Sequence, residues 1–157
     1  MSEIIPEEYK KTVKSALNML AYSDCTANQL EKKLYAKGYS DESVEFAVSY
    51  VVQRGYLDEK RYLERYFEQL AYSKLYGLNR IALEIYRKGF SLSLVRDNLG
   101  ELIKNVDFEA NCIKLARKSK RTDRNKLYEY LIRAGHSGTN AAKTVKIVLN
   151  SMDTEEE

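Results

Sequence analysis

The sequence predicts an all-α protein of three tandem three-helix repeats, stacked into an elongated, curved array. Three observations carry that reading. A short joint recurs at intervals of about fifty residues, as "AKGYSDES" around Gly38, "RKGFSLS" around Gly89 and "RAGHSGT" around Gly135. Each joint is flanked by apolar residues at four-residue steps. Leu30 and Leu34, Ile81 and Ile85, and Leu127 and Leu131 precede it; Val48 and Val52, Leu99 and Ile103, and Val145 and Leu149 follow it. That spacing belongs to amphipathic helices sharing a core. The chain has a single proline, Pro6, so no helix after the first turn is interrupted by one. One plan repeated in divergent form marks a helical repeat protein.

The joint itself has a physical basis. Gly38, Gly89 and Gly135 are suited to the left-handed conformation just past a helix end. Two residues on, Ser40, Ser91 and Ser137 are placed to accept hydrogen bonds from the free N–H groups of the next helix. Between them, the rings of Tyr39, Phe90 and His136 are expected to pack back on the helix just ended. Lys37, Lys88 and Arg133 lie in or beside that helix's last turn, at the negative end of its dipole.

In chain order, the first repeat covers residues 1–57. Its first helix is expected from about Pro6 to Tyr22, with Glu7 and Glu8 in the first turn. Thr26 and Gln29 of "TANQ" form a capping box for the second helix, and the third runs from Asp41 to about Arg54, ended by Gly55. The second repeat covers 58–106: Asp58 caps its first helix, preceded by an apolar contact from Tyr56 or Leu57. Gly77 breaks that helix, and another spans about Leu78 to Lys88. Gly100 weakens the helix after the joint by roughly 1 kcal/mol relative to Ala, which suggests a kink or a close contact there. Asp107 opens the third repeat, 107–152, whose second helix begins after Thr122; residues 153–157 read as a disordered acidic tail.

Composition bounds function. Hydrophobic residues make up 44%, enough for a core, and no apolar run reaches the ~18 residues of a membrane span. With no signal-peptide pattern, the chain is expected to be soluble, cytoplasmic and monomeric. Cys25 and Cys112 are far apart and lack metal-ligand spacing, so buried or idle thiols are expected, with no cofactor or metal. Net charge is +3, but setting aside Asp153, Glu155, Glu156 and Glu157 leaves 26 basic against 19 acidic side chains, or +7. That excess suits an anionic partner.

The strings "ALNMLAYSDCTANQLEKKLYAKGYS", "VVQRGYLDEKRYLERY" and "GLNRIALEIYRKGFS" carry a resemblance. In this order they resemble the bacterial regulatory protein RecX family. The anchors are Ala16, Leu17, Leu20, Leu30, Lys33, Leu34, Lys37 and Gly38, then Gly55 to Glu59 with Arg61 and Tyr62, then Gly77, Arg80, Ile81, Glu84, Lys88 and Gly89. Ile85 stands where the family pattern has Leu. The match is strong over residues 14–100 and thin beyond. The resemblance implies three tandem three-helix repeats and binding to the RecA recombinase filament on single-stranded DNA. It further implies restraint of filament extension, strand exchange, ATP hydrolysis and co-protease activity.

Two sets of residues are candidate contacts. From charge alone, Lys114, Arg117, Lys118, Lys120, Arg121, Arg124 and Lys126 oppose only Asp123, which gives +6 over thirteen residues. Such a run suits DNA phosphates, for weak direct DNA contact, or an acidic protein surface; a solvated helix end is the plain alternative. From the family pattern come Arg80 and Lys88, although Arg80 and Glu84 are spaced to pair on one helix face. Thirteen tyrosines invite base stacking, but most fall where packing with the hydroxyl at the rim explains them. No phosphate loop, metal cluster or nucleophile elbow points to an enzyme. Two other classes are tandem helix-turn-helix DNA binding and a helical protein scaffold. The first would need base-reading residues early in the helix after each joint. In the first repeat that helix starts "SDESVEF", which is acidic.

Overall fold

The computed structural model describes residues 4–155, among which there are nine α-helices and no strand. They are α1 (Lys10–Tyr22), α2 (Ala27–Ala36), α3 (Asp41–Gln53), α4 (Glu59–Glu68), α5 (Leu78–Lys88), α6 (Leu92–Lys104), α7 (Phe108–Ser119), α8 (Arg124–Arg133) and α9 (Gly138–Glu155). Pro6 starts a 3-10 turn, Glu7–Tyr9, closed by the Tyr9 N–H on the Pro6 carbonyl at 2.9 Å, and α1 follows it. The backbone of residues 153–155 continues α9 where an acidic tail is expected, since extending a helix already formed needs no new nucleus. Glu156 and Glu157 lie outside the described residues.

Each joint is built as its residues dictate. Gly38, Gly89 and Gly135 adopt φ of 90°, 89° and 95°. Ser40, Ser91 and Ser137 accept hydrogen bonds from the N–H groups of Ser43, Leu94 and Asn140 at 3.2, 3.3 and 3.1 Å. The capping box is complete, with the Gln29 N–H on Thr26 Oγ1 and the Thr26 N–H on Gln29 Oε1. Glu59 adds a second acceptor there, taking the Ala27 N–H at 2.7 Å. The joint rings reach beyond the helix just ended. Tyr39 shares a 2.8 Å hydrogen bond with Ser15 of α1, and Phe90 lies 6.2 Å from the Tyr66 ring of α4.

All six apolar residues before the joints are buried, Leu30, Leu34, Ile81, Ile85, Leu127 and Leu131. The six after them divide. Val145 and Leu149 are buried, Val48, Leu99 and Ile103 are half-buried, and Val52 is 46% exposed. In α3 the core face is instead Val44, Ala47 and Val51. Two adjacent apolar stripes run along that helix, and only packing selects the one that faces inward. Leu57, not Tyr56, supplies the contact before Asp58: it is buried, whereas Tyr56 is 59% exposed. Cys25 and Cys112 are free and buried, and burial pushes both thiols up.

The chain divides into two compact bodies, residues 1–63 and 64–157. The first centres on Val13, Ala16, Leu30, Leu34, Val44, Ala47, Val51 and Leu57. In the second body, the segment between α4 and α5 belongs as much to the third repeat as to the second. A π-helical turn, Gln69–Ser73, follows α4, and Leu75 then takes φ of 58°, a left-handed conformation unusual for Leu. The Leu75 side chain joins the core of Cys112, Leu115, Ala116, Leu127 and Leu131. Asn111 Nδ2 donates to the Ala71 carbonyl at 2.7 Å, and His136 Nε2–H donates to the Leu75 carbonyl at 2.9 Å. The N–H groups of Gly77 and Asn79 donate to the Ala134 and Gly135 carbonyls at 2.9 and 3.1 Å.

This last contact needs glycine on both sides. A Cβ on Gly77 would collide with the Gly135 carbonyl, and a Cβ on Gly135 would collide with the backbone of Arg80. Gly100, read as a site of close contact, has open space around it in an unbroken helix. The close approach lies instead at two glycines 58 positions apart in sequence, Gly77 and Gly135.

Alanine at equivalent joints should therefore have unequal effects. Gly38→Ala meets only the left-handed backbone cost of about 1–2 kcal/mol. Gly135→Ala adds a backbone collision, for a total of about 2–4 kcal/mol. Denaturant unfolding of both variants, with Gly77→Ala as the purely steric case, checks the order.

His136, the one histidine of the chain, is 2% exposed, and its Nδ1 has no hydrogen-bond partner among the described residues. Burial lowers its pKa, against a smaller opposing effect of the Leu75 carbonyl. The unfolded chain therefore takes up this proton more readily than the folded one. Stability is full above the ordinary pKa of 6.5 and falls as pH drops below it. The slope reaches at most about 1.4 kcal/mol per pH unit, until the folded imidazole itself protonates. Unfolding between about pH 7 and 5.5 should show that slope, and His136→Phe should flatten it while costing about 1–3 kcal/mol for the orphaned Leu75 carbonyl.

Candidate functional site

The basic run occupies the corner between α7 and α8. Asp107 caps α7 through the Ala110 N–H at 3.0 Å, and the helix ends at Lys120, which takes φ of 56°. Ser119 secures the corner: its hydroxyl donates to the Ala116 carbonyl at 2.7 Å and accepts from the Arg121 N–H at 3.2 Å. Asp123 then caps α8 through the Lys126 N–H at 2.9 Å.

Lys114, Arg117, Lys118, Lys120, Arg124 and Lys126 are exposed and Arg121 is half-buried. None of the seven forms an ion pair among the described residues. Arg117 and Lys118 sit favourably in the last turn of α7, against its negative dipole end. Arg124 and Lys126 fall in the first turn of α8, where the dipole opposes them and only Asp123 offsets it. Stability alone does not account for cations placed so. Arg121 is the ordered member, its guanidinium carbon 3.9 Å from the centre of the Tyr130 ring, and Arg124 reaches Asn150 Oδ1 at 3.5 Å.

Arg80 and Lys88 are built into the packing. Arg80 Nε donates to Glu84 Oε1 at 2.8 Å, its Nη1 donates to the Arg133 carbonyl at 3.2 Å, and its guanidinium lies 4.9 Å from the centre of the Tyr76 ring. It pins the second repeat to the end of α8. Lys88 Nζ lies 4.9 Å from the Tyr66 ring centre, half-buried beside the second joint. Burial, with Glu84 as a lesser cause, raises the Tyr66 pKa.

Arg80 also lines an open cleft of about 350 Å³ with Lys74, Tyr76, Tyr130 and Arg133, floored by Leu115 and Ala134. The basic run alone did not reveal this cleft. Lys74 stands forty residues before Lys114, and Arg133 reads as an ordinary helix-end charge. Their proximity follows from the glycine approach, which leaves no periodic signal. Lys74 and Arg133 are exposed and make no ion pair among the described residues. Among the described residues there is no cluster of His, Cys, Asp and Glu able to hold a metal, and no helix long and apolar enough to cross a membrane.

Residues 14–50 match the family model described as RecX, first three-helix domain. The chain is 28% identical to the regulatory protein RecX of Clostridium tetani over 96% of its own length and 72% of that relative. It is 29% identical to that of Clostridium perfringens over 85% of its length and 65% of the relative, so it spans about two-thirds of these proteins. Its fold is similar to the crystal structure of RecX from Lactobacillus salivarius, with a TM-score of 0.74 and 22% identity over 93% of this chain and 99% of that one. A second crystal structure of regulatory protein RecX gives 0.69 and 22% over 92% and 72%.

The corner carries a measurable cost. Lys120→Gly should relieve the left-handed strain and hold or raise stability by up to about 1 kcal/mol while removing a charge. Thermal melts beside a binding assay separate the two effects; a clear loss of stability would show that Lys120 packs rather than presents its ammonium.

Proposed function

We propose that the chain is a RecX-type protein, a non-enzymatic regulator that binds a RecA-type filament on single-stranded DNA and restrains it, a reading supported by its similarity to RecX proteins in sequence and fold. The observation that carries this reading is the cationic corner: seven basic residues without an ion pair among the described residues, two of them set against a helix dipole. A nucleoprotein filament offers phosphates and acidic protein surface, either of which would offset that repulsion. The repeat boundaries 1–57, 58–106 and 107–152 are part of the proposal, with the third repeat as the contact module.

The thermodynamics constrain how such a protein acts. It shifts a filament equilibrium only by binding one filament state better than another. Contact across neighbouring subunits, or at a growing end, supplies that difference. A ligand with equal affinity for every state would change nothing, however tightly it bound.

The test adds purified protein, below one molecule per recombinase, to filaments preformed on single-stranded DNA and follows ATP hydrolysis. Progressive loss of hydrolysis is expected. Unchanged hydrolysis with demonstrated binding would overturn the regulatory reading. Charge reversal at Arg117, Lys118, Lys120 and Arg121 should weaken filament binding about tenfold or more with helicity unchanged; full binding would remove the corner from the interface.

A further inference from the structure

We propose that the cleft lined by Lys74, Tyr76, Arg80, Tyr130 and Arg133 seats one nucleotide of a single-stranded nucleic acid directly. The phosphate would lie on Lys74 and Arg133, and the base against the tyrosine–guanidinium stacks. The inference rests on reading this basic surface as the partner-facing one, and it assigns the cleft to the strand instead of to the recombinase.

Four features of the cleft converge on that ligand. Its volume of about 350 Å³ is that of a small-ligand site. Its floor is apolar, with Leu115 and Ala134 only 8% and 6% exposed, which suits the flat face of a base better than a hydrated ion. Its cations are available: Lys74 and Arg133 form no ion pair among the described residues, whereas Arg80 shares the Glu84 carboxylate with Arg87. Its planar groups are already ordered. Arg80 is held by a carboxylate, a carbonyl and the Tyr76 ring, and Arg121 by the Tyr130 ring. Groups fixed before binding lose little freedom on binding.

The class of ligand follows from those planes. Bases of a single strand stack on aromatic rings and on guanidinium faces, whereas a duplex keeps its base faces inside its own stack. An acidic peptide would use the charges and leave the rings idle. Arg121 of the cationic corner lies over the ring of Tyr130, which lines the cleft, so that corner supplies a cation beside the cleft for a neighbouring phosphate.

The experiment measures fluorescence anisotropy of a labelled oligothymidine of about 15 nucleotides with the full chain and no recombinase, at low and at physiological salt. The comparison ligands are an abasic strand of equal length and oligoglutamate. Salt-sensitive binding of oligothymidine, weakened tenfold or more by Lys74→Glu with Arg133→Glu and in the same direction by Lys74→Gln with Arg133→Gln, is expected. Tyr130→Leu should erase the preference for oligothymidine over the abasic strand, with far-UV circular dichroism confirming that each variant is folded. Equal affinity of the wild type for both strands, effective competition by oligoglutamate, or unaltered binding by the charge variants would each overturn the proposal. Recombinase ATP hydrolysis run in parallel separates the two readings. Intact regulation without strand binding sinks the cleft alone; strand binding without regulation sinks the filament reading and leaves the cleft.

Discussion

The second body depends on one backbone-to-backbone approach, between Gly77 and Gly135. Two N–H groups at the start of α5 donate to carbonyls at the end of α8, at a separation that no side chain on either glycine would permit. Around it, Asn111 and His136 satisfy the Ala71 and Leu75 carbonyls that the π-helical turn and the left-handed Leu75 take out of regular helix bonding. Buried carbonyls without partners would each cost about 1–3 kcal/mol, so these side chains allow the irregular segment to exist inside a packed body. The Leu75 side chain then adds its apolar surface to the third repeat's core.

The same joint thus serves two purposes. At Gly38 and Gly89 it is a corner with free space around the glycine, where the following ring packs or bonds within its own repeat. At Gly135 the corner is also an adhesive surface, and the ring position has become a histidine with a polar partner. A buried neutral imidazole with one unpartnered nitrogen is a poor choice for packing alone. Its value lies in the hydrogen bond to Leu75, a bond that neither a Phe nor a Tyr ring at this position would reproduce through a ring nitrogen.

The cleft inherits its shape from this junction. Arg80 and Arg133 line it because Arg80 spans from Glu84 to the Arg133 backbone, and Tyr76 and Lys74 line it because the chain leaves α4 through the π-helical turn. Beside it, the α7–α8 corner concentrates charge that helix dipoles only partly accommodate. Fold and cationic surface are therefore linked, since the residues that join the repeats also hold the guanidinium planes in place.

Much of this protein is local and so readable from residue types. Gly–x–Ser stops one helix and starts the next through the left-handed backbone and a side-chain cap, and Thr26 with Gln29 forms its box from four consecutive residues. Leu30, Leu34, Ile81, Ile85, Leu127 and Leu131 are buried, as their four-residue spacing before each joint implies. The charge of the run from Lys114 to Lys126 is likewise visible as composition. Where α3 offered two stripes, periodicity could not choose, and packing took Val44, Ala47 and Val51. The Gly77–Gly135 approach, the His136 bond to Leu75 and the meeting of Lys74 with Arg133 were decided only by the tertiary structure. Each joins residues more than fifty positions apart, and such contacts depend on distances between folded elements, which no local pattern encodes.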